Sequence, residues 1–232
     1  MSASDQLARL RQQLAARFPT AQRAPDRALA TGVPSIDEST GGGLPLSAVT
    51  EIVASAPSCG VSLLWGQLLA ATRAAQTRAA LVDALDEFDA TSFPADLLAH
   101  LVWARCRGVT EALAAADLLA RDANFGLVLL DLRHAPLRDL RRVPSTSWYR
   151  LQRAVEPTDL ALVVATPAAC VPSAQLRLEL SAARTAPLSL EGDAPSSPAS
   201  TAIDDLERER ATLAAALAPV LQRQRRSLAA TG

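Results

Sequence analysis

Apolar and polar residues follow two rhythms along this chain, and the rhythm changes from segment to segment. Near the start, Leu7, Leu10, Leu14 and Phe18 fall three and four residues apart, the apolar stripe of a helix over residues 4–18. Ser2 with Asp5 forms a capping box for it. A connector bearing Pro and Arg, Pro19–Ala28, follows. A β-branched run then predicts a strand over Val49–Val53, and short apolar runs predict strands over Ala79–Asp83, Leu127–Leu132 and Leu160–Ala165. Leu176–Leu180 alternates Leu, Arg, Leu, Glu, Leu, the period of a half-exposed strand. Between these runs, helices are predicted over Ser62–Ala75, Phe93–Val102 and Glu111–Arg121, and within Arg138–Val155 after Pro144. Strands alternating with helices predict an α/β fold, a mostly parallel sheet flanked by helices.

Residues 191–200, EGDAPSSPAS, have the composition of a linker. Beyond them, Ala202–Leu228 predicts an amphipathic helix on Ile203, Leu206, Leu213, Leu217, Val220 and Leu221. Its acidic start (Asp204, Asp205, Glu207) and basic end (Arg223, Arg225, Arg226) suit the helix dipole, and Pro219 should kink or interrupt it. The expected organisation is therefore an N-terminal helix and connector (1–28), a core (29–190), and a linker with a C-terminal helix (191–232).

Composition narrows the chemistry. Of the 232 residues 49% are hydrophobic but only 3% aromatic, so the core must be built from Ala, Leu and Val. A net charge of −1 supplies no global attraction for nucleic acid, and any basic footprint must be local. All 23 basic residues are arginine. The cysteines (Cys59, Cys106, Cys170) lack metal-ligand spacing, and His100 and His134 lie far apart, so metal catalysis and hydrolase triads have no support. No segment resembles a signal peptide or a membrane span, which makes a reduced cytoplasm the expected setting and a membrane an unexpected partner.

The segment ATGVPSIDESTGGGLPLSAVTEI (residues 30–52) leads into the first core strand, and ASAPSCGVSLL follows where a phosphate loop would stand. A phosphate loop has the form G-x-x-x-x-G-K-[ST], in which the lysine reaches the β/γ-phosphates and the hydroxyl holds Mg²⁺. Here Gly60, Val61 and Ser62 fill the last three positions, and Ser55 (or Ala54, in a loop one residue longer) stands for the first glycine. Two further stretches keep their order: LVDALDEFD (Leu81–Asp89) and GLVLLDL (Gly126–Leu132), a Walker B-like strand ending in Asp131. Together with AQLRLEL (Ala174–Leu180), these stretches resemble the RecA family over about residues 30–190.

The departures bear on function. Against that family, Val61 replaces the lysine, Leu85 matches the glutamate that activates water, and Pro167 matches the glutamine that senses the γ-phosphate. Asp131 and Ser62 remain, and would hold Mg²⁺ only with nucleotide present. A lysine–phosphate contact at about 4 Å is worth on the order of 4 kcal/mol at an effective dielectric near 20, roughly a thousandfold in affinity. Loss of the general base removes typically a further 10²–10⁴ in rate. The expectation is a RecA-like core without ATPase activity and without ATP or Mg²⁺ as cofactor.

Among such proteins, VLLDLRHAPLRDLRRVPSTSWYRLQRAVE (Val128–Glu156) and LVVATPAACVPSAQLRLEL (Leu162–Leu180) are similar to the ImuA family, RecA-related accessory proteins of bacterial mutagenesis cassettes. That resemblance implies translesion DNA synthesis after damage, alongside a Y-family-like polymerase homologue and an error-prone replicative-type polymerase. Candidate surfaces follow. Arg133, Arg138, Arg141, Arg142, Arg150 and Arg153 face only two aspartates between Asp131 and Arg153, with Trp148 and Tyr149 interleaved. Arginine with stacking aromatics suits single-stranded DNA; the alternative is a solvated helix face with Trp148 buried. Only Ala168–Ser173 separates the last two core strands, too short for a recombinase's second DNA loop, so strand exchange is not expected. Partner contacts are expected through Leu7, Leu10 and Leu14 and, after the linker, through Leu206, Leu213, Leu217 and Leu221; each stripe has the alternative of packing on its own domain. On the partner-arm reading, ending the chain at Glu191 should leave the core folded. Two rival functions stay open. One is a divergent ATPase using Arg73, or an arginine of a neighbouring subunit, for the missing lysine. The other is a regulator that caps or blocks RecA filaments.

Overall fold

The computed structural model describes residues 27–181 and 208–224. The predicted helix over 4–18 with Leu7, Leu10 and Leu14, the linker, and Leu206 lie outside the described residues.

Seven strands form one sheet in the order β5-β4-β6-β7-β3-β8-β9, an arrangement consistent with a RecA-like α/β fold. They are β3 (Ala48–Ala54), β4 (Arg78–Asp83), β5 (Leu101–Arg105), β6 (Phe125–Asp131), β7 (Ala161–Thr166), β8 (Leu176–Leu180) and β9 (Val220–Gln224). All neighbours pair parallel except β8 and β9. Two short strands, β1 (Ala28–Leu29) and β2 (Leu44–Pro45), pair antiparallel beside it.

The central strands are buried on both faces, as parallel strands must be, and two separate cores result. On one face, Ile52, Leu81, Leu129, Val163 and Leu178 meet α1 (Pro34–Thr40) through Ile36 and α2 (Val61–Ala74) through Leu64, Trp65, Leu68 and Leu69. On the other, Val82, Val128, Leu130, Leu162 and Val164 meet α4 (Val109–Ala120), α5 (Leu137–Arg141) and α6 (Ser145–Val155). The alanines of α4 (Ala112, Ala116, Ala120) let it sit close on the strands. The predicted shortage of aromatics in the core is met by these small contacts.

The lead-in segment has a local physical reason. Asp37 accepts hydrogen bonds from the Thr31 backbone N–H (2.9 Å), the Thr31 hydroxyl (2.8 Å) and the Gly32 N–H (3.2 Å), which fixes the turn before α1. Gly43, at φ +124°, passes so close to the Leu29 backbone that a Cβ there would collide with it.

Two expectations are corrected. Phe93–Val102 is not one helix: a single turn, α3 (Ala95–Leu98), is followed by the edge strand β5. The run Leu101, Val102, Trp103 suits a strand, and pairing with β4 from Ala79↔Leu101 to Asp83↔Arg105 outweighs local helix propensity. The tail helix also stops early. Residues 208–215 are helical, but Pro219 cannot continue a helix, and Val220–Gln224 adds to β8 antiparallel, Leu178 opposite Leu221. Leu217 is buried in the first core, where its carbonyl accepts from the Ser35 hydroxyl. Leu213 is half-buried and Leu221 exposed. The tail is thus part of the fold, and ending the chain at Glu191 would strip a core leucine and uncover the edge of β8.

A carboxylate sits at mid-strand inside the sheet. Glu51, in the middle of β3, is fully buried. Its Oε1 accepts from the Thr166 hydroxyl (3.0 Å) and the backbone N–H groups of Cys170 (2.7 Å) and Val171 (3.1 Å). Its Oε2 accepts from Arg177 Nε at 2.5 Å, and Arg177 also donates to the Val171 carbonyl at 3.0 Å. Burial and the neighbouring Glu51 push the Cys170 thiol up to about 12, so it stays a neutral thiol.

Two stability outcomes follow. Arg177→Leu, which strands the buried carboxylate, should cost about 3–5 kcal/mol in urea unfolding, with much of the loss recovered when Glu51→Leu is added. Leu217→Ala should cost about 2–5 kcal/mol. A value near zero for Leu217→Ala would mean that the tail does not pack on the core in solution.

Candidate functional site

The loop Ser55–Gly60 carries the chain from the end of β3 into α2, at the point where the next strand in sequence lies three places away in the sheet. In open α/β sheets such crossing points are where ligands bind. Ser55 is tied to β8, its backbone N–H and its hydroxyl both directed at the Leu180 carbonyl at 3.3 Å. Gly60 begins α2 in the left-handed region, at φ +93°, and no side chain caps the helix. A cleft of about 740 Å³ opens over this loop, walled by Arg133, His134 and Pro167 on the far side.

Val61, at the lysine position, is turned into the first core and is 1% exposed. Ser62 is exposed beside it, and Cys59 is buried. The core accounts for Cys59 as a small apolar residue.

Asp131 ends β6 as expected, but it is already paired. Arg133 Nε lies 2.9 and 3.0 Å from its two oxygens, Arg133 Nη2 lies 2.6 Å from Oδ2, and the Arg133 backbone N–H lies 3.1 Å from Oδ1. The Trp65 indole N–H approaches Oδ2 at 3.5 Å. The pair is mostly buried, with side-chain exposures of 16% and 7%. Burial penalises the Arg133 guanidinium, but its hydrogen bonds to Asp131 and that carboxylate's charge outweigh the penalty and hold it above its usual value. Mg²⁺ demands oxygens at about 2.0–2.1 Å in near-octahedral array, which a carboxylate clamped by a guanidinium does not offer. The residues present do not fit a Mg²⁺–nucleotide.

Leu85 is half-buried against the second core. Its neighbour Asp83 is spent on the turn after β4, accepting from the N–H groups of Leu85 (3.3 Å), Glu87 (3.1 Å) and Phe88 (2.8 Å). Arg73, the candidate stand-in for lysine, sits in the last turn of α2 and pairs with Asp96 at 3.7 Å. Twelve residues of helix separate it from Val61, roughly 18 Å. The loop has an unexpected neighbour instead: a Cβ at Gly60 would strike the Leu217 side chain. The tail therefore lies against the start of α2.

The arginine-rich segment divides. Arg133 belongs to the loop cleft. Arg138, Arg141, Arg142, Arg150 and Arg153 are exposed on α5 and α6. Trp148 is 2% exposed, packed in the second core with its carbonyl accepting from the Ser173 hydroxyl at 2.9 Å, so it offers no stacking surface. Tyr149, 45% exposed, does. The roles of Arg133 and Glu51 as buried counter-charges were not anticipated. An arginine two residues after a strand-ending aspartate was the available signal for the first.

Neither models of known protein families nor curated proteins show a match to this chain. Among the described residues, no helix is long and apolar enough to cross a membrane.

A fluorescent ATP analogue with Mg²⁺ should show no binding to this chain below millimolar concentration. Val61→Lys alone should not restore it, because Arg133 still clamps Asp131; adding Arg133→Ala should tighten binding by tenfold or more. Micromolar binding by the unaltered chain would contradict this account of the loop.

Proposed function

We propose that this chain is a non-catalytic RecA-fold accessory protein in DNA damage tolerance, scaffolding a polymerase-like partner during translesion synthesis and contacting single-stranded DNA. The observation that carries this reading is the Asp131–Arg133 pair. The carboxylate that a working nucleotide site reserves for metal is neutralised by the chain's own arginine, two residues away. With Val61 in the core, the position of the phosphate-binding lysine presents no cation to the loop. A divergent ATPase would need an arginine free to reach phosphate; Arg133 is committed and Arg73 lies at the wrong end of its helix. The polymerase partners rest on the ImuA resemblance of Val128–Glu156 and Leu162–Leu180.

The exposed arginines of α5 and α6 supply the DNA side of the proposal. Exposed ion pairs are worth about 0–1 kcal/mol, so the 3.8 Å contacts of Arg138 and Arg142 with Asp139 leave both groups available to phosphate. On the protein side, Leu217 is spent on the core and is withdrawn as a partner contact. Leu7, Leu10 and Leu14 stay as the candidate stripe.

Two measurements test the proposal. Arg141→Ala with Arg142→Ala should abolish single-strand binding at moderate salt and flatten its salt dependence; unchanged binding would remove the DNA contact. Leu7, Leu10 and Leu14 replaced together by Ala should prevent co-purification with a Y-family-like polymerase homologue. Absence of any such complex with the unaltered chain would reject the scaffold role.

A further inference from the structure

The turn after β5 runs Arg105, Cys106, Arg107, Gly108 into α4, on the same edge of the sheet where β6 delivers Asp131. A cleft of about 650 Å³ opens there between the start of α4 and the α5–α6 corner. Arg107, Arg142 and Arg150 reach it from three separate segments. On the other side of Arg107 lies a second cleft, about 450 Å³, lined by Leu85, Asp86 and Arg105. Both clefts share Arg107, so the two form one track along the sheet edge.

Charge within the track is unevenly committed. Asp86 is taken by Arg105 through two hydrogen bonds of 2.5 Å, and that pairing holds its carboxyl below the usual range. Arg105 also lies over the Trp103 ring, 5.0 Å from its centroid. The Glu111 carboxylate accepts from the Arg107 backbone N–H at 2.8 Å. Arg150 shares Asp117 with Arg121. The exposed Arg107 side chain has no ion pair among the described residues, and Arg142 has only its distant contact with Asp139. The Arg107 guanidinium thus stands unpaired at the centre, with Arg142 loosely held on one wall. A run of cations along a track matches a chain of phosphates, and a lone anion would not need the second cleft.

We infer that this track seats the phosphodiester backbone of a single nucleic-acid strand, with Arg107 as its central phosphate contact. The inference rests on the proposed DNA-binding role of α5 and α6 and extends it to the β5–α4 turn.

The test uses the full chain and a fluorescently labelled oligodeoxythymidine, with anisotropy read over a salt series. Arg107→Ala should weaken binding about tenfold and lower the slope of log K against log salt by about one, while Arg107→Lys keeps the slope. An unchanged melting temperature is expected, since the side chain is exposed. If Arg107→Ala binds as the unaltered chain does while Arg141→Ala with Arg142→Ala loses binding, the track is wrong and the α5–α6 contact stands. If the unaltered chain binds no strand, or neither variant matters, the DNA reading fails and the inference with it. Labelled polyglutamate bound through Arg107 in place of the oligonucleotide would identify an acidic protein segment and overturn the nucleic-acid assignment.

Discussion

A carboxylate buried in the middle of a parallel sheet constrains much of this molecule. Glu51 has no exposure, and an isolated charge there would be untenable. It is tolerated because four donors converge on it from three directions: the end of β7, the turn after it, and β8. Those same bonds define the connection between β7 and β8. That connection is nine residues without a helix, and it must pass β3 to place β8 on the far side. Val171 and Ala174 fill the second core as it does so. A long, mobile loop at this position would carry Cys170 and Val171 away from Glu51, so the brevity of the turn and the buried charge require each other.

The consequences run outward from β8. Its position lets β9 add to the sheet edge, and the tail helix before β9 then lies where Leu217 meets Gly60. The loop that would cradle phosphate is thereby flanked by three parts of its own chain: Leu180 holds Ser55, Leu217 abuts Gly60, and Arg133 clamps Asp131. Each contact answers a local need. Ser55 finds an acceptor, a core leucine finds cover, and a strand-end carboxylate finds a counter-ion. Their sum is a loop held on three sides by its own chain.

The sequence was most legible where pattern and physics coincide. Ala79–Asp83 and Leu160–Ala165 are buried, so an apolar run is sufficient signal, and Val49–Val53 declares itself by β-branched residues at every position but Glu51. The half-exposed alternation of Leu176–Leu180 matches β8 residue for residue. The helix after the loop was visible because its apolar face repeats through Leu64, Leu68 and Leu69. Legibility failed where tertiary pairing decides. Leu101–Arg105 has too few residues to declare itself against a helical background, and only β4 beside it makes it a strand. Val220–Gln224 carries leucine at helical spacing from Leu213 and Leu217, so local periodicity pointed to a helix although Pro219 interrupted it. The site shows the same division. Against the RecA resemblance, Val61 and Leu85 stand where a lysine and a glutamate are expected, and a sequence alone can show that. The Arg133 clamp and the Glu51 network are relations between residues brought together by the fold. Trp148 shows the cost of reading composition without direction: beside Tyr149 in sequence, it faces the opposite way.

These contrasts also separate two parts of one sheet edge. Parallel strands deliver all their C-terminal ends to the same side, so the loop after β3 and the turn after β5 share an edge and begin with similar opportunities. Around the β3 loop, arginine meets a carboxylate largely out of water, where such a pair is hard to break. Around the β5 turn the arginines are exposed: Arg105 is held by Asp86, but Arg107 has no ion pair among the described residues and Arg142 only a distant one. Exposed cations of that kind gain little from their own chain and keep their capacity to meet an external anion. The buried guanidinium closes one end of the edge, and the exposed ones leave the other open. On this account, the proposed lack of nucleotide chemistry and the proposed nucleic-acid surface need no separate causes. Both depend on how deeply each arginine lies.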